Sequence, residues 1–228
     1  MRLTLLTTSL ALGCVAAASA QPLARFEVGP VMRFEKVFVE GHVTGNTTVA
    51  GLVTTFNISK SCGVEVEVTQ AAGRIENSYE GTFISYYPGR DLSRENFERF
   101  APVARRTLGY DPGLGWSAAF VARGEINPRV SMAARAGLSG RSYRETSNYT
   151  ILTIPEAVDP ARVARDSNFQ PTSFNGTRGG LLVGMDATVA LTDRFSVAPE
   201  VRFVYGGPAQ IGNKHREAGL GLRAMWRF

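Results

Sequence analysis

The residue types that most often perform catalysis are scarce in this chain. Its 228 residues include two histidines, His42 and His215, and two cysteines, Cys14 and Cys62. A hydrolase with a serine or cysteine nucleophile needs a histidine placed beside that nucleophile. His42 lies in GHVTG and His215 in NKHRE, both between the alternating segments described next, where solvated loop histidines are usual. Two separated histidines and two distant cysteines also have no metal-ligand spacing. We predict no enzyme activity, no metal site and no cofactor.

Arginines and carboxylates are abundant, and they alternate with apolar residues. The formal net charge is +5, with 25 Lys and Arg against 20 Asp and Glu. The basic residues are spread along the chain instead of forming one patch, which argues against a nucleic-acid partner. Alternation with period two is typical of a strand with two different faces. We predict eight such strands, at 25–35, 49–57, 63–73, 114–124, 129–141, 179–191, 195–206 and 217–228.

The joints between these segments alternate between short and long. ISKSC, EINP and TDR are tight connections, whereas 36–48, 74–113, 142–178 and 207–216 are longer. A transmembrane β-barrel has this regularity, because short turns lie at one rim and longer loops at the other. The sequence therefore predicts an all-β, eight-stranded, antiparallel, up-and-down transmembrane barrel with long extracellular loops.

A soluble eight-stranded lipid carrier is the competing fold, with its apolar residues inside. The aromatic residues favour the membrane barrel, since they fall at both ends of the strands, where interfacial girdles form. One group comprises Phe56, Phe195, Trp226 and Phe228, and the other Trp116, Phe203 and Tyr205. Pro30 and Pro199 lie inside predicted strands and lack a ladder N–H, so we expect a bulge at each.

Both ends of the chain carry sequence features typical of targeting signals. Arg2, the apolar run 3–18 and Ala18-Ser19-Ala20 predict a cleaved export signal at 1–20, followed by a barrel domain at 21–228. Acylation of Cys14 in LALGC is the alternative processing. At the other end, GLGLRAMWRF places Leu220, Leu222, Trp226 and Phe228 on one face.

This terminal stretch, with FNISKSCGVEVEV at 56–68 and the strand count, resembles the small outer-membrane barrels of the outer-membrane protein A type. The resemblance covers only the barrel segments. It implies location in the bacterial outer membrane and recognition of the last strand, above all Phe228, by the outer-membrane assembly machinery. It also implies contact with outer-membrane lipid and lipopolysaccharide, for which Lys214, His215 and Arg216 are candidate phosphate contacts.

If the apolar face meets lipid, the charged face fills the lumen, because an eight-stranded barrel has room inside only for side chains. Arginine suits such a network since its planar fork bonds two carboxylate oxygens. The predicted lumen network comprises Glu27, Arg33, Glu65, Glu67, Arg123, Arg135, Asp186, Glu200, Arg202 and Arg223. We expect Arg25, Glu35, Glu217 and Arg227 in the lumen as well.

The function that follows is a structural or surface-interaction role. The long loops 74–113 and 142–178 are rich in Tyr, Phe and Arg, which favour recognition surfaces, so we expect any surface ligand there. Packing of these aromatic residues within the loops is the plainer interpretation. A small ion channel is the first alternative function, and a lipid-modifying outer-membrane enzyme is the second.

Overall fold

The computed structural model describes residues 26–82, 101–156, 158–166, 169–206 and 214–228. These form nine strands and one short helix, α1, at Pro160–Arg165. The strands are β1 Phe26–Val39, β2 Val43–Asn57, β3 Cys62–Ala72, β4 Ile75–Thr82, β5 Val103–Asn127, β6 Val130–Thr153, β7 Thr172–Ala190, β8 Phe195–Gly206 and β9 His215–Arg227. The predicted export signal and Arg25 lie outside the described residues.

Eight of the strands close into a ring. Each strand pairs antiparallel with its neighbour in the order β3, β2, β1, β9, β8, β7, β6, β5, and β3 pairs with β5 to complete the circle. β4 adds to the outer half of β5, beyond its contact with β3. The predicted fold, an eight-stranded antiparallel up-and-down barrel, is confirmed. Within the described residues, no helix has the length and apolar character needed to cross a membrane.

The alternation of the sequence becomes an alternation of faces. In β1 and β9 the large apolar side chains of one parity point outwards, so that Phe34 is 58% exposed and Leu220 is 67% exposed. The other parity points inwards and holds the buried charges of Arg33, Glu35 and Arg223. Large apolar side chains covering the outside of a closed barrel match a lipid solvent and not water.

The two rims of the barrel differ in height. Both ends of the described chain lie at one rim, the terminal rim, where the backbone N–H of Phe228 donates to the carbonyl of Phe26 at 3.0 Å. At the opposite rim β4, β5, β6 and β7 continue past the other strands, and we call this the extended rim. β5 has 25 residues, and its stretch from Leu114 to Val103 covers roughly 36 Å at the usual rise per residue.

Where the structure describes them, the predicted loops 74–113 and 142–178 therefore contain long strand segments. They supply β4, the outer parts of β5, β6 and β7, and α1. Alternation weakens there because one face of the extension is not in lipid, so period two no longer separates apolar from polar residues. The part of the first loop at 83–100 lies outside the described residues, including Ser93, Phe97 and Phe100.

The predicted connection at 36–48 is wrong. β1 continues to Val39 and β2 begins at Val43, which leaves a three-residue turn at 40–42. Gly41 has a φ of 69°, a left-handed conformation that glycine adopts at little cost. The inward side chains of Val37, Val39 and Val43 are buried together with Ile75, and this packing explains why the strands run on. The strict alternation of short and long joints fails here.

The bulges expected at the two prolines are absent. The β1–β2 register is unbroken through Pro30, and the β8–β9 register is unbroken through Pro199. Each proline instead interrupts pairing on its other side: the β1–β9 ladder omits Gly29 and Pro30, and the β7–β8 ladder omits Ala198 and Pro199. Register is kept on both sides of each gap. The missing N–H is thus accommodated by a short unpaired stretch instead of an inserted residue.

Candidate functional site in the barrel lumen

All ten residues of the predicted lumen network point into the barrel. Nine are buried and Arg123 is half-buried. Each forms an ion pair with another member of the ten. Strand alternation places these side chains inside, but the pairing partners come from strands that are far apart in the sequence.

Arg33 lies at the centre of this network. Its guanidinium donates to both oxygens of Glu67, at 2.5 and 2.7 Å, and to Glu200 at 2.9 Å. Its Nε donates to Glu35 at 3.0 Å. Arg202 reaches Glu67 from β8, with its Nη1 2.7 Å from Oε1. Arg33 therefore ties β1 to β3 and β8, each two positions away in the ring, and the Arg202–Glu67 pair joins β8 to β3 on the opposite side of the lumen.

A second group of charges lies beside the first. Glu65 accepts from Arg135 at 3.0 Å and from Arg223 at 2.5 Å. Arg223 also bonds Glu200, which joins this group to Arg33, and Arg135 also pairs with Asp186. The two groups form one continuous set of charge-assisted hydrogen bonds, which are stronger than neutral ones.

A separate cluster closes the terminal rim. Glu27 pairs with Arg123 at 2.9 Å and with Arg227 at 3.1 Å. Arg123 also donates to the side-chain oxygen of Asn57 at 2.9 Å. This cluster links β1, β2, β5 and β9 where the strands end.

Near the extended rim, the lumen holds four residues that sequence reasoning left out of the network. Arg141 pairs with Glu35 at 2.8 Å and with Glu217 at 3.3 Å, while Arg178 pairs with Glu145. Arg178 and Glu145 fell in a predicted loop, so their inward direction was not apparent. Arg141 stands at the end of a predicted strand on the charged face, and that parity could have identified it.

His215 is the fourth of these residues, and its predicted position in a solvated loop is wrong. It begins β9, is 3% exposed, and places its Nε2 3.0 Å from Glu217 Oε1. His215, Glu217 and Gly219 share one parity, so the alternation of the last strand extends two residues further back than predicted. Of the three candidate phosphate contacts, only Lys214 and Arg216 are exposed.

Apolar and aromatic side chains fill the lumen at the extended rim itself. Val37, Val39, Val43, Ile75, Leu108, Tyr110 and Tyr143 form one buried cluster. We call it the rim cluster. The rings of Tyr110 and Tyr143 stack with centroids 5.6 Å apart, and the guanidinium of Arg178 lies 4.3 Å from the Tyr143 centroid. This cluster closes the barrel above the ion pairs.

The predicted assembly residues lie on the outside of β9. Leu220 is 67% exposed, Leu222 54%, Trp226 44% and Phe228 70%. The Trp226 and Phe195 rings lie 6.3 Å apart at the terminal rim. β9 pairs with both β1 and β8, so it is the strand that closes the chain into a ring.

The remaining histidine has a structural contact. His42 lies in the turn at 40–42, and its Nε2 is 3.3 Å from the carbonyl oxygen of Gly109 in β5. Within the described ranges, no group of three His, Cys, Asp or Glu side chains is arranged to hold a metal ion. Cys62 is a free, buried thiol whose Sγ lies 3.1 Å from Ser59 Oγ.

Comparison with known proteins places the fold. No protein-family model matches the chain, and no curated protein matches it significantly in sequence. Among solved structures, Neisserial surface protein A superposes with a TM-score of 0.50 at 15% identity, covering 89% of this chain and 97% of that one. OprG of Pseudomonas aeruginosa gives 0.45 at 11% identity, covering 89% and 96%. Ail of Yersinia pestis gives 0.43 at 12% identity, covering 88% and 97%. The chain has the fold of the small outer-membrane β-barrels.

Proposed function

We propose that this protein is a non-conducting barrel of the bacterial outer membrane that presents a rigid extension at the cell surface. In this orientation the terminal rim faces the periplasm and the extended rim faces outwards, as in barrels of this kind. The apolar outer surface meets lipid, and the inward charges hold the wall together.

The filled lumen is the observation that carries the proposal. Arg33 bonds Glu67 and Glu200 inside the barrel, Arg202 reaches Glu67 from the opposite strand, and the rim cluster closes the end above them. An ion could pass only if several buried ion pairs opened together, which is costly because each separated charge would be left uncompensated. The filled lumen therefore favours a structural role over the alternative of a small channel.

Planar-bilayer recording of the purified protein tests this proposal. We expect no current above that of protein-free bilayers recorded under the same conditions in 1 M potassium chloride. Regular, protein-dependent steps of conductance would overturn the non-conducting role and favour the channel.

The location is tested separately by membrane fractionation and gel mobility. We expect the protein in the outer-membrane fraction, with a folded form that migrates differently before and after heating. Recovery in the soluble periplasmic fraction, with no mobility difference, would contradict the membrane barrel and favour the soluble lipid carrier.

The extension supplies the surface that could bind a partner. Arg106 of β5 lies between Tyr79 of β4 and Tyr149 of β6, 6.0 and 5.4 Å from their ring centroids, and donates to the Tyr79 hydroxyl at 2.8 Å. Tyrosine and arginine are the residue types most enriched in binding hot spots. Because the three side chains hold one another in place, little side-chain entropy is lost on binding.

Binding of a surface ligand through Tyr79, Arg106 and Tyr149 is tested with glycan and protein arrays. Wild-type barrel in detergent is compared with a Tyr79→Ala, Arg106→Ala double variant. Arg194→Ala, at an exposed turn of the terminal rim, is the control for loss of one positive charge. Signals that disappear only in the double variant support a binding surface, and signals that are equal in all three proteins refute this one.

The proposal includes no catalytic role. His215 is buried beside Glu217, and His42 contacts a backbone carbonyl. Among the described residues, neither imidazole forms a hydrogen bond to a serine or threonine hydroxyl. Mass spectrometry of lipid A after overexpression tests the enzyme alternative. An altered lipid A species that disappears with His215→Phe or His42→Phe would favour the lipid-modifying enzyme instead.

A further inference from the structure

Three cations on the outside of the barrel lie at the seam where the first strand pairs with the last. Lys36 belongs to β1, Arg216 belongs to β9, and Lys214 immediately precedes β9. All three are exposed, and none forms an ion pair within the part of the chain that the structure describes. Their charges are therefore available to a partner outside the protein.

The position of Arg216 along β9 places it at the outer edge of the lipid-facing band. It lies ten positions from Trp226 at the terminal rim, a rise of roughly 34 Å along the strand. With a strand tilt of about 40° this distance becomes roughly 26 Å across the membrane, which matches an apolar band about 25 Å tall. The outward residues between the two are all apolar: Ala224, Leu222, Leu220 and Ala218. Arg216 thus lies at the depth of the lipid headgroups, on the side of the extended rim.

Lys36 lies beside Arg216 across the seam. It is opposite Ala218 in the β1–β9 register, and Arg216 is opposite Phe38. Lys36 and Arg216 are thus diagonal neighbours, with Cα atoms roughly 7–8 Å apart. Ala218 carries only a methyl group at the position next to both. The two long cationic side chains are therefore able to contact one phosphate group together.

Two aromatic rings hold the Arg216 guanidinium in place. Its central carbon lies 5.5 Å from the ring centroid of Tyr205 on β8 and 6.0 Å from that of Phe38 on β1. Both rings are exposed on the outer face. Contacts with ring faces leave the N–H groups of an arginine free for an oxyanion, and the planar guanidinium matches the geometry of phosphate. Ordering the side chain in advance also lowers the entropy cost of binding.

The surroundings of these cations favour an anion. Among the described residues, Glu40 is the carboxylate beside them, and its Oε2 accepts the backbone N–H of Lys214 at 3.4 Å. Three cations and one carboxylate leave a formal excess of two positive charges. The outward residues at this level on the flanking strands are uncharged: Thr44 and Asn46 on β2, and Phe203 and Tyr205 on β8. The cluster therefore attracts an anion at the depth where lipid phosphates lie.

We propose that Lys36, Arg216 and Lys214, which we call the seam site, bind the phosphate of a phosphorylated lipid of the outer leaflet. This inference rests on the proposed function, in which the extended rim faces outwards. A lipid fits the site better than free phosphate, because Phe34 and Leu220 pair directly below the cations and expose a large apolar surface to acyl chains.

The bound lipid fastens the two ends of the barrel wall. β1 and β9 are the first and last strands, and their ladder omits Gly29 and Pro30. Lys36 belongs to one strand and Arg216 to the other, so a phosphate bonded to both joins them on the outside. Lipid binding therefore stabilises closure of the ring at the seam, in addition to the ion pairs inside the lumen.

Native mass spectrometry of the full-length folded barrel tests lipid selectivity. The protein, released from detergent, is offered equal amounts of lipid A with both phosphates and of the same lipid after enzymatic removal of the phosphates. We expect the phosphorylated lipid to be retained roughly tenfold more strongly, because only this lipid accepts charge-assisted hydrogen bonds from the cations. Equal retention of the two lipids would overturn the seam site.

Two double variants assign the binding to the seam. Lys36→Gln with Arg216→Gln should weaken retention of the phosphorylated lipid roughly tenfold, because two charge-assisted bonds are lost. Arg129→Gln with Arg194→Gln removes the same charge from exposed positions at the terminal rim and should leave retention unchanged. An equal loss in both double variants would show general attraction between charges and refute the site.

Ala218 provides a second pair of variants that keeps every cation. Ala218→Glu places a carboxylate beside Lys36 and Arg216 at an exposed position and should abolish the preference for phosphorylated lipid. Ala218→Gln has the same size without the charge and should keep that preference. If the double variant at the cations does not fold, this pair still decides, since an equal lipid preference in Ala218→Glu and Ala218→Gln would contradict the seam site.

Thermal unfolding in detergent tests the effect on closure and the source of the phosphate. We expect phosphorylated lipid A to raise the unfolding midpoint with a saturable dependence on its mole fraction, and inorganic phosphate at the same concentration to leave it unchanged. Hydrogen exchange should slow within 31–39 and 215–222 when the lipid is bound, and not within 181–189 of β7. An equal rise with inorganic phosphate would indicate a simple anion site and overturn the lipid site.

The seam site and the proposed function fail in different experiments. A protein that fractionates with the outer membrane but has no preference for phosphorylated lipid would refute the seam site alone. Recovery in the soluble periplasmic fraction would contradict the membrane barrel itself, and with it the orientation on which the seam site depends.

Discussion

Arg33 of β1 and Glu67 of β3 form a bidentate ion pair inside the lumen, although β2 lies between their strands in the wall. Both side chains are 1% exposed. The pair therefore braces the barrel from inside, at a point that backbone ladder bonds between neighbouring strands do not reach. Such a contact requires the curvature of the wall, which brings the inner faces of β1 and β3 towards each other.

Arg33→Met should destabilise the folded barrel by about 3–5 kcal/mol, because Glu67, Glu35 and Glu200 lose a shared cation while remaining buried. Urea unfolding from lipid vesicles measures the change. Arg105→Met is the control: it removes an exposed pair with Glu80 at 2.6 Å, and we expect a loss of about 0–1 kcal/mol. Equal effects of the two substitutions would mean that the lumen pair does not brace the barrel.

Tyr110→Phe should reduce the loss of stability at alkaline pH. Burial raises the pKa of the Tyr110 phenol in the rim cluster above its ordinary value near 10, and the negative charge of Glu217 raises this pKa further, against the opposing effect of Arg178. The folded state then keeps this proton at a pH where the unfolded state releases it. The contribution of the protonated Tyr110 phenol to the free energy of unfolding is complete below about pH 10 and decreases as the pH rises above it.

At neutral pH the same variant should be about as stable as wild type, because the Tyr110 hydroxyl has no hydrogen-bond partner among the described residues. Denaturant unfolding at a series of pH values between 7 and 11 provides the comparison. Tyr205→Phe, whose ring is half-exposed at the outer girdle, serves as the control. If the free energy of unfolding of Tyr110→Phe decreased between pH 10 and 11 as steeply as that of wild type, Tyr110 would not be the group whose ionisation destabilises the fold.

Deletion of Phe228 should lower the amount of folded protein in the outer membrane several-fold. Phe228 is 70% exposed and extends the lipid-facing row of β9, the row that the assembly machinery is expected to recognise. Quantitative immunoblotting of outer-membrane fractions measures the level. Phe174→Ala, an exposed aromatic residue of β7 in the extension, should leave it unchanged. Normal levels of the truncated protein would show that Phe228 is dispensable for assembly.

Val163→Asp should release α1 from the extension without opening the barrel. Val163 is fully buried with Ala104, Val158 and Phe169, so an unpaired carboxylate there disrupts the small core beneath the helix. Limited proteolysis should become faster within 154–171, while the gel mobility of the folded form stays the same. Ala164→Asp places the charge at the exposed neighbouring position and should have little effect. Loss of the folded form in Val163→Asp would show that α1 is required for the barrel itself.

Sequence alternation was sufficient to predict the barrel, because a closed wall between lipid and a filled lumen demands opposite residue types at successive positions. It also assigned Leu220 and Phe228 to the outside and Arg33 and Glu67 to the inside. It failed at β1–β2 and in the two long connections, where the strands leave the bilayer. In these segments both faces of a strand can be polar, or the inward face can be apolar. Period-two alternation therefore no longer indicates a strand.

The sequence by itself determined the fold, the number of strands in the ring and the face of most charged residues, since these depend on local periodicity. Only the tertiary structure decided which arginine meets which carboxylate, because the stagger and closure of the strands bring residues far apart in sequence to the same level. It also turned His215 inwards, joined Arg141 and Arg178 to Arg202 around one cavity, and closed the extended rim with Tyr110 and Tyr143. Those contacts depend on three-dimensional register, which alternation along a single strand does not contain.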